Sequence, residues 1–211
     1  MKIVAIVPIK NGRYSKSRLS SILNPIQRMV LVKYFFDLTI KKLNKSSSIS
    51  DIVVISNNDN LKDTISNDKL TFLTDRNEGV NNAILIADSY LDGKDVDGSI
   101  VIPIDLPLMT SKDIDHLCEI STEFSKCVMI CPSKRFDGTN ILFRKPHNII
   151  KTHYDNNSYR NHLLEAKRGN IFIKDLYHNN LVFDIDTKED LFSLTKIGNW
   201  RDILKEIGIY H

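Results

Sequence analysis

The first nineteen residues constrain this chain more than any other segment. The apolar run Ile3–Ile9 has the composition of a buried strand, and the cationic segment 10–18, with two lysines and two arginines, follows it directly. Because these charges are costly to bury in a sheet, we expect them near water, at the carboxyl end of the strand. Ligands of open α/β sheets bind at that edge, so segment 10–18 is a candidate site for an anion such as phosphate.

Short apolar runs alternate with helical patterns along the chain. Strands are predicted over 2–9, 51–56, 70–73 and 99–104, with helices over 25–44, 59–66, 80–91 and 110–122. Further on, strands are predicted over 127–131, 139–143, 170–174 and 181–185, with helices over 158–167, after 187 and over 199–207. This order favours an α/β fold with a mostly parallel central sheet, helices on both faces and a mixed second half. We expect one domain over 1–211, made of the halves 1–125 and 126–211.

The composition is that of an ordinary globular protein. Of 211 residues, 42% are hydrophobic and 26% are charged. No apolar stretch approaches the ~20 residues that span a bilayer, and the N-terminal run lacks the cleavage pattern of a signal peptide. We therefore expect a cytoplasmic protein that does not enter a membrane.

Cysteine and histidine usage excludes two kinds of site. The three cysteines, Cys118, Cys127 and Cys131, form no C-x-x-C pair, which argues against a disulfide framework or a zinc site and favours buried thiols in a reducing compartment. The six histidines show no metal-ligand spacing, and we expect most of them at the surface.

The charge is unevenly distributed. Residues 1–45 contain ten Lys or Arg and one Asp, whereas the whole chain has a net charge of +3. Such a split can indicate nucleic-acid binding, a solvated basic helix face, or one region for polyphosphate and another for metal-binding carboxylates. We favour the last interpretation and expect no nucleic-acid partner.

Two cationic residues of the early segment are the best candidates for a phosphate contact. Lys16 and Arg18 lie two positions apart, so they can point toward one anion, and Lys10 can add a third charge. Gly12 permits a tight turn whose backbone N–H groups approach a phosphate. The alternative is a solvated basic loop. The chain has neither a G-x-x-x-x-G-K-[ST] motif nor a G-x-G-x-x-G motif.

Three aspartates are candidate metal ligands. Asp105 directly follows an apolar strand, at the edge where the cationic segment is expected. In extended backbone, Asp184 and Asp186 project to the same side. Together the three carboxylates would form an oxygen-rich site for Mg²⁺. The alternatives are a turn or capping role for Asp105 and a helix cap for Asp186.

Two further segments could contact a substrate. In the segment 137–140, the Thr139 hydroxyl and nearby amides could hold a small anion, although Asp-Gly is also an ordinary hairpin turn. In the segment 78–83, Gly79 would let a flat group approach the backbone, and Asn81 or Asn82 could read the hydrogen-bonding edge of a base. Helix N-capping is the competing interpretation of this second segment.

Taken together, these segments resemble the family of 2-phospho-L-lactate guanylyltransferases of coenzyme F420 biosynthesis. The resemblance covers nearly the whole chain and is carried by an ordered set of motifs: Val7-Pro8-Ile9-Lys10, Ser15-Lys16-Ser17-Arg18-Leu19, Gly79-Val80-Asn81, Pro103-Ile104-Asp105-Leu106-Pro107-Leu108, Asp137-Gly138-Thr139-Asn140 and Asp184-Ile185-Asp186-Thr187. Two of these motifs contain the candidate metal ligands: Pro103–Leu108 contains Asp105, and Asp184–Thr187 contains Asp184 and Asp186.

The resemblance implies a Rossmann-like fold of the nucleotide-diphospho-sugar transferase type. It also implies that a phosphorylated three-carbon acid (2-phospho-L-lactate, phosphoenolpyruvate or 3-phosphoglycerate) attacks the α-phosphate of GTP and releases pyrophosphate. The implied roles are triphosphate contacts for Lys16 and Arg18, guanine contact for Asn81, Mg²⁺ ligation by Asp105, Asp184 and Asp186, and acid-phosphate binding by Thr139 and Ser158. Relatives suggest a homodimer, to which Trp200 could contribute.

One position departs from the family pattern, and it leaves the acid open. Asp155 stands where the family usually has glycine, and a carboxylate there would repel a bound phosphate unless it turned away. Three other functions stay possible: a molybdenum-cofactor or sugar-phosphate nucleotidyltransferase, a glycosyltransferase with Asp184 and Asp186 as its metal motif, and a non-catalytic GTP sensor.

Overall fold

The structure is a computed structural model that describes residues 1–9, 16–58, 61, 68–75 and 78–209. The candidate phosphate-binding residues Lys10 and Gly12 lie outside the described residues, as does most of the helix predicted over 59–66.

The described strands form one sheet of seven strands in the order β3-β2-β1-β4-β6-β5-β7. Their bounds are β1 Ile3–Ile9, β2 Ile49–Ser56, β3 Leu70–Thr74, β4 Gly98–Val101, β5 Cys127–Pro132, β6 Thr139–Lys145 and β7 Phe172–Asp175. Strands β1 to β4 pair in parallel and β7 pairs in parallel with β5, whereas β6 runs antiparallel to both of its neighbours. The predicted α/β fold with a mostly parallel sheet and a mixed second half is confirmed.

Helices cover both faces of this sheet. Their bounds are α1 Pro25–Lys45, α2 Val80–Leu91, α3 Ser111–Ser121, α4 Ser158–Arg168, α5 Asn179–Val182, α6 Lys188–Leu194 and α7 Trp200–Glu206, with a 3₁₀ turn at Ser17–Leu19. Side chains alternate along β1, so that Ala5 and Val7 pack in the layer of α1 and α3, while Val4 and Ile6 pack in the layer of α2 and α4. None of the described helices combines the length and apolarity needed for a membrane crossing.

Capping boxes define the beginnings of three helices. Asn24 and Gln27 exchange side-chain and backbone hydrogen bonds at α1, Thr110 and Asp113 do so at α3, and Thr187 and Asp190 do so at α6. Each box satisfies N–H groups that the first helical turn leaves unpaired. The three helix beginnings agree with those predicted.

The strand predicted over 181–185 is wrong. Leu181 and Val182 belong to the single helical turn α5, in which both peptide N–H groups donate to the carbonyl of His178. Short apolar runs do not distinguish a strand from a buried helical turn by pattern alone. After this turn the chain is irregular, with Ile185 fully buried beneath the cleft.

The strand predicted over 99–104 is also shorter than expected. β4 ends at Val101, although the N–H of Ile102 still donates to the carbonyl of Ile6 at 2.9 Å. Pro103 has no N–H to continue the ladder. Beyond it, the ammonium of Lys42 donates to the carbonyl of Pro107 at 2.8 Å, which ties this segment to α1.

Candidate active site

A cleft of about 920 Å³ opens at the carboxyl ends of β1 and β4. Lys16 follows β1 and Asp105 follows β4. Because β6 runs antiparallel to β4, its first residue, Thr139, lies at the same edge. Ser158, at the start of α4, also lines the cleft. The topology thus brings four distant parts of the chain to one place.

Lys16 is the central cation of this cleft. Its ammonium donates to the carboxylate of Asp105 and, at 3.1 Å, to Oδ1 of Asp186. Burial opposes the charged ammonium, but Asp105 and Asp186 outweigh it and raise the pKa of Lys16 above its ordinary value. The backbone of Lys16 is left-handed (φ 56°), a conformation that costs a non-glycine residue about 1–3 kcal/mol and is concentrated at functional sites.

Asp186 faces the cations and does not cap a helix. Its Oδ2 accepts from Nη1 of Arg18 at 3.1 Å, while the side-chain cap of α6 is Thr187. Burial would raise the pKa of Asp186, but Lys16 and then Arg18 outweigh it and hold that pKa below its usual range. The helix-cap alternative for Asp186 is therefore wrong.

Asp184 lies on the anionic side of the same cluster. Burial, reinforced by the charges of Asp105 and Asp186, raises the pKa of Asp184 to about 6. The side-chain amide of Asn140 partly compensates, since its Nδ2 lies 3.4 Å from Oδ1 of Asp184. The backbone holds the cluster together, because the N–H of Ile185 donates to the carbonyl of Asp105 at 3.1 Å.

The carboxylates of Asp105, Asp184 and Asp186 are suitable ligands for a divalent cation, but their oxygens are not arranged around one common point. Over the parts of the chain that the structure describes, no three His, Cys, Asp or Glu side chains are arranged to hold a metal ion. The Lys16 ammonium lies between Asp105 and Asp186 instead. Oxygen ligands suit hard cations, and burial, followed by the charges of Asp105 and Asp186, raises the pKa of Asp184. A divalent cation would compete with Lys16 for these oxygens.

The opposite end of the cleft is built from β6 and α4. Thr139 and Ser158 are 7% and 3% exposed, and His162, one turn after Ser158, is completely buried. His162 Nδ1 lies 3.0 Å from the Thr139 hydroxyl. The first turn of α4 has N–H groups without intrahelical acceptors, and the positive end of a helix dipole favours an anion at this position.

Burial of His162 should make the protein less stable in acid. Burial, then His153 and Arg144, lower the pKa of His162 to about 3, whereas an unfolded chain has a histidine pKa of about 6.5. The unfolded state therefore binds the proton first, so stability falls as the pH drops from about 6.5 toward 3. Between pH 6.5 and 4.5 we expect His162 to account for about 2 kcal/mol of lost unfolding free energy.

Urea unfolding at pH 6.5, 5.5 and 4.5 measures this effect. The wild type should lose about 2 kcal/mol more over this range than His162→Asn, whose side chain does not titrate. Equal losses in the two proteins would show that His162 does not carry the acid sensitivity.

At the start of α2, Val80 lines the cleft, whereas Gly79 and Asn81 are not among the lining residues. Gly79 has φ +95°, a conformation that favours glycine, and a Cβ built there would meet open space. The Asn81 amide is already bonded, donating to Oδ2 of Asp155 at 3.0 Å and accepting from the N–H of Tyr154 at 2.8 Å. The amide keeps a second N–H hydrogen and a second oxygen lone pair. Guanine contact by Asn81 stays a prediction.

Three residues of the cleft region received no role in the sequence analysis, although Asn140 belongs to the candidate segment 137–140. Arg135 lines the cleft and its charge lowers the pKa of Asp186, Asn140 contacts Asp184, and His162 contacts Thr139. Arg135 and Asn140 flank the Asp137-Gly138 motif, which was a usable signal. The i, i+4 spacing of Ser158 and His162 was the signal for a shared helix face.

The expectation that most histidines lie at the surface is wrong for His147 and His162, which are buried. The expectation that the cysteines are buried, free thiols is confirmed. His162 and His147 are 0% and 9% exposed, because each finds hydrogen-bond partners inside the fold. All three cysteines are buried and free, and burial raises the pKa of Cys118 to about 12 and of Cys131 to about 11.

The likeness to solved structures supports the fold. The structure matches a candidate nucleotide-diphospho-sugar transferase from Desulfovibrio desulfuricans G20 with a TM-score of 0.74 at 11% identity, covering 97% of this chain and 94% of that one. It also matches Rv0371C from Mycobacterium tuberculosis H37Rv, solved in complex with manganese, with a TM-score of 0.59 at 13% identity, covering 94% of this chain and all of that one.

Sequence comparison identifies the family. The chain is 32% identical over 214 residues to a 2-phospho-L-lactate guanylyltransferase from Methanocaldococcus jannaschii, covering 99% of this chain and 91% of that protein. It is 25% identical to a phosphoenolpyruvate guanylyltransferase from Sphaerobacter thermophilus, covering 92% and 93% of the two chains. The family model described as "Guanylyl transferase CofC like" matches residues 1–210. A cleft lined by both cationic and acidic side chains lies at the carboxyl edge of the sheet. The chain belongs to this CofC-like guanylyltransferase family of nucleotidyltransferases.

Proposed function

We propose that this protein transfers GMP from GTP to a phosphorylated three-carbon acid. A phosphate oxygen of the acid attacks the α-phosphorus of GTP, a new P–O bond forms, and the bond from the α-phosphorus to the α,β-bridging oxygen breaks. Pyrophosphate leaves, and the product joins GMP to the acid through a phosphoanhydride. Because the nucleophile is already an anionic oxygen, no strong general base is required.

The nucleotide is assigned to the half 1–125. Lys16 and Arg18 would meet the triphosphate, and the buried position of Lys16 makes its charge effective there. At ~4 Å and an effective dielectric of ~20, two like charges repel by about 4 kcal/mol. Bringing two polyanions together adds several such interactions, so positioning and charge neutralisation are the main catalytic tasks. Arg135, which also lines the cleft, adds a third positive charge.

Mg²⁺ is the proposed cofactor, held by Asp105, Asp184 and Asp186. When bound, it would supply charge neutralisation at the phosphates. Its oxygen preference matches the three carboxylates, and a cation there would offset the repulsion that, after burial, contributes to the raised pKa of Asp184.

The acid is assigned to the half 126–211, between Thr139 and Ser158. The Thr139 hydroxyl, the Ser158 hydroxyl and the first-turn N–H groups of α4 are donors suited to its phosphate. Asp155 also lines the cleft, and its carboxylate accepts a hydrogen bond from the Asn81 amide.

The main observation behind this proposal is that the Lys16 ammonium contacts the carboxylates of both Asp105 and Asp186 in the cleft. Purified protein incubated with GTP, Mg²⁺ and one acid at a time, with pyrophosphate as the readout, tests it directly. The acids are 2-phospho-L-lactate, phosphoenolpyruvate and 3-phosphoglycerate, and parallel reactions replace GTP by CTP.

Release of pyrophosphate that depends on one acid and on GTP supports the proposal and identifies the acid. A further reaction contains CTP and a sugar phosphate in place of GTP and the acid, and turnover only there would identify a different nucleotidyltransferase. GTP binding without turnover of any acid would identify a nucleotide sensor.

Lys16→Ala is expected to raise the KM for GTP and to lower kcat, each by about 10-fold or more, because a buried charge is removed from the triphosphate contact. Steady-state kinetics with varied GTP measure both constants. Lys33→Ala is the matched control, since Lys33 forms an exposed pair with Asp37 on α1. If Lys16→Ala changed neither the KM for GTP nor kcat, Lys16 would have only a structural role.

A cytoplasmic homodimer is part of the proposal. The three free thiols suit a reducing compartment. Trp200 packs edge-on against Tyr34 and Phe35 of its own chain. The exposed Ile26 and Phe192 are better candidates for a subunit contact, at 73% and 54% exposed. Light scattering of the purified protein decides between monomer and dimer.

A further inference from the structure

His162 is a buried histidine with a specific partner on each ring nitrogen. Its side chain, which belongs to α4, is completely buried and reaches Thr139 at the start of β6. Nε2 accepts from the backbone N–H of His153 at 2.8 Å, and Nδ1 lies 3.0 Å from Oγ1 of Thr139. The ring also packs edge-on against Tyr154, with ring centroids 4.9 Å apart. These contacts leave the ring one orientation.

The backbone contact determines which nitrogen carries the proton. A peptide N–H can only donate, so Nε2 must be the unprotonated nitrogen of a neutral ring. Nδ1 then carries the hydrogen and donates it to Thr139, whose oxygen is the acceptor. Thr139 keeps its own O–H, which remains available as a donor, and its residue lines the cleft.

We propose that His162 is a positioning residue that sets the Thr139 hydroxyl as a hydrogen-bond donor to the phosphate of the acid. This inference rests on the proposed function, because it needs Thr139 to contact that phosphate. Reversal of the ring tautomer would turn Nδ1 into an acceptor, and the Thr139 proton would be directed to His162 and away from the cleft.

His162 connects the two segments that are proposed to bind the acid, because it belongs to α4 and contacts Thr139 at the start of β6. Ser158 and His162 are four residues apart on α4 and share one helix face, while Thr139 begins β6. The low pKa of His162, caused by burial and then by His153 and Arg144, keeps the ring neutral near pH 7. The hydrogen-bond direction therefore stays the same under working conditions.

Two substitutions separate the functions of the two nitrogens. The amide of His162→Asn falls near the position of Nδ1 and can still donate to Thr139. The amide of His162→Gln reaches the position of Nε2 and can still accept from His153, but leaves Thr139 without its donor. We expect His162→Gln to raise the KM for the acid by about 10-fold or more, and His162→Asn to raise it less, with the KM for GTP unchanged in both.

A double-mutant cycle with Thr139 excludes a merely structural effect. If His162 acts through Thr139, His162→Gln should cause no further rise in the KM for the acid in a Thr139→Val background. His147→Gln is the matched control, because His147 is another buried histidine but pairs with Asp92, and neither lines the cleft. Its kinetic constants should equal those of the wild type.

The ¹⁵N resonances of the His162 ring report which ring nitrogen carries the proton. This measurement uses the wild-type protein and does not depend on turnover or on the folding of a variant. The resonances should show a neutral ring protonated at Nδ1. A ring protonated at Nε2, an unchanged acid KM in His162→Gln, or additive losses in the Thr139→Val background would each overturn the inference. If the wild type transfers GMP to no acid, the proposed function itself fails, and that result is separate from these three.

Discussion

Asp105→Asn is expected to lower the rate of pyrophosphate release by at least about 100-fold while leaving the fold intact. Asp105 accepts from the buried Lys16 ammonium and is one of the three carboxylates proposed for Mg²⁺. Asparagine has the same shape but no negative charge. The variant therefore weakens both the orientation of Lys16 and the cation-binding set, without creating a cavity.

The measurement is steady-state pyrophosphate release with GTP, Mg²⁺ and the active acid, beside thermal unfolding of the same protein. Asp95→Asn is the matched control, because Asp95 pairs with Lys2 at the surface, 92% exposed, where an ion pair contributes little. Turnover of Asp105→Asn within about threefold of the wild type would contradict the catalytic role of this carboxylate. Loss of turnover together with loss of folding would identify a structural role.

Arg144→Met is expected to have the largest effect on stability, lowering the free energy of unfolding by about 3–5 kcal/mol. The Arg144 side chain is completely buried, and its two terminal nitrogens donate to the two carboxylate oxygens of Asp88 at 2.8 and 2.7 Å. Nη2 also donates to Ser99 at 3.0 Å. Removal of the guanidinium would leave the Asp88 carboxylate buried without its partner, which is the main cost.

Urea unfolding at pH 7 measures this loss. Lys33→Met removes the cation of the exposed Lys33–Asp37 pair on α1 and should change the unfolding free energy by about 0.5 kcal/mol or less. The double variant Arg144→Met/Asp88→Leu should recover part of the stability, since it removes both charges. A loss of less than about 1 kcal/mol in Arg144→Met would show that Asp88 finds other compensation.

Much of the architecture was predictable from local pattern. The apolar strand Ile3–Ile9 and the three capping boxes depend on residues close together in the chain, and the structure contains them where they were predicted. That Lys16 and Asp105 lie at the same edge was also predictable, because they follow the parallel strands β1 and β4. The roles of these residues in catalysis stay predictions.

Other features had no local signal. The apolar residues Leu181 and Val182 formed a helical turn because their N–H groups pair with His178 outside the sheet. Asn81 bonds to Tyr154 and Asp155, which are more than seventy residues away in the chain. The charge states in the cleft likewise depend on burial, which raises the pKa of Asp184 and lowers that of His162.

The order of apolar runs, caps and charged segments in the chain was enough to determine an α/β sheet and the edge at which its ligands bind, because periodicity and steric rules act over a few residues. Only the folded chain decided that the Lys16 ammonium lies between two carboxylates and that the His162 ring lies against the Thr139 hydroxyl. Hydrogen-bond direction and ionisation depend on atoms contributed by several elements, and these groups become neighbours only when β1, β4, β6 and α4 assemble around the cleft.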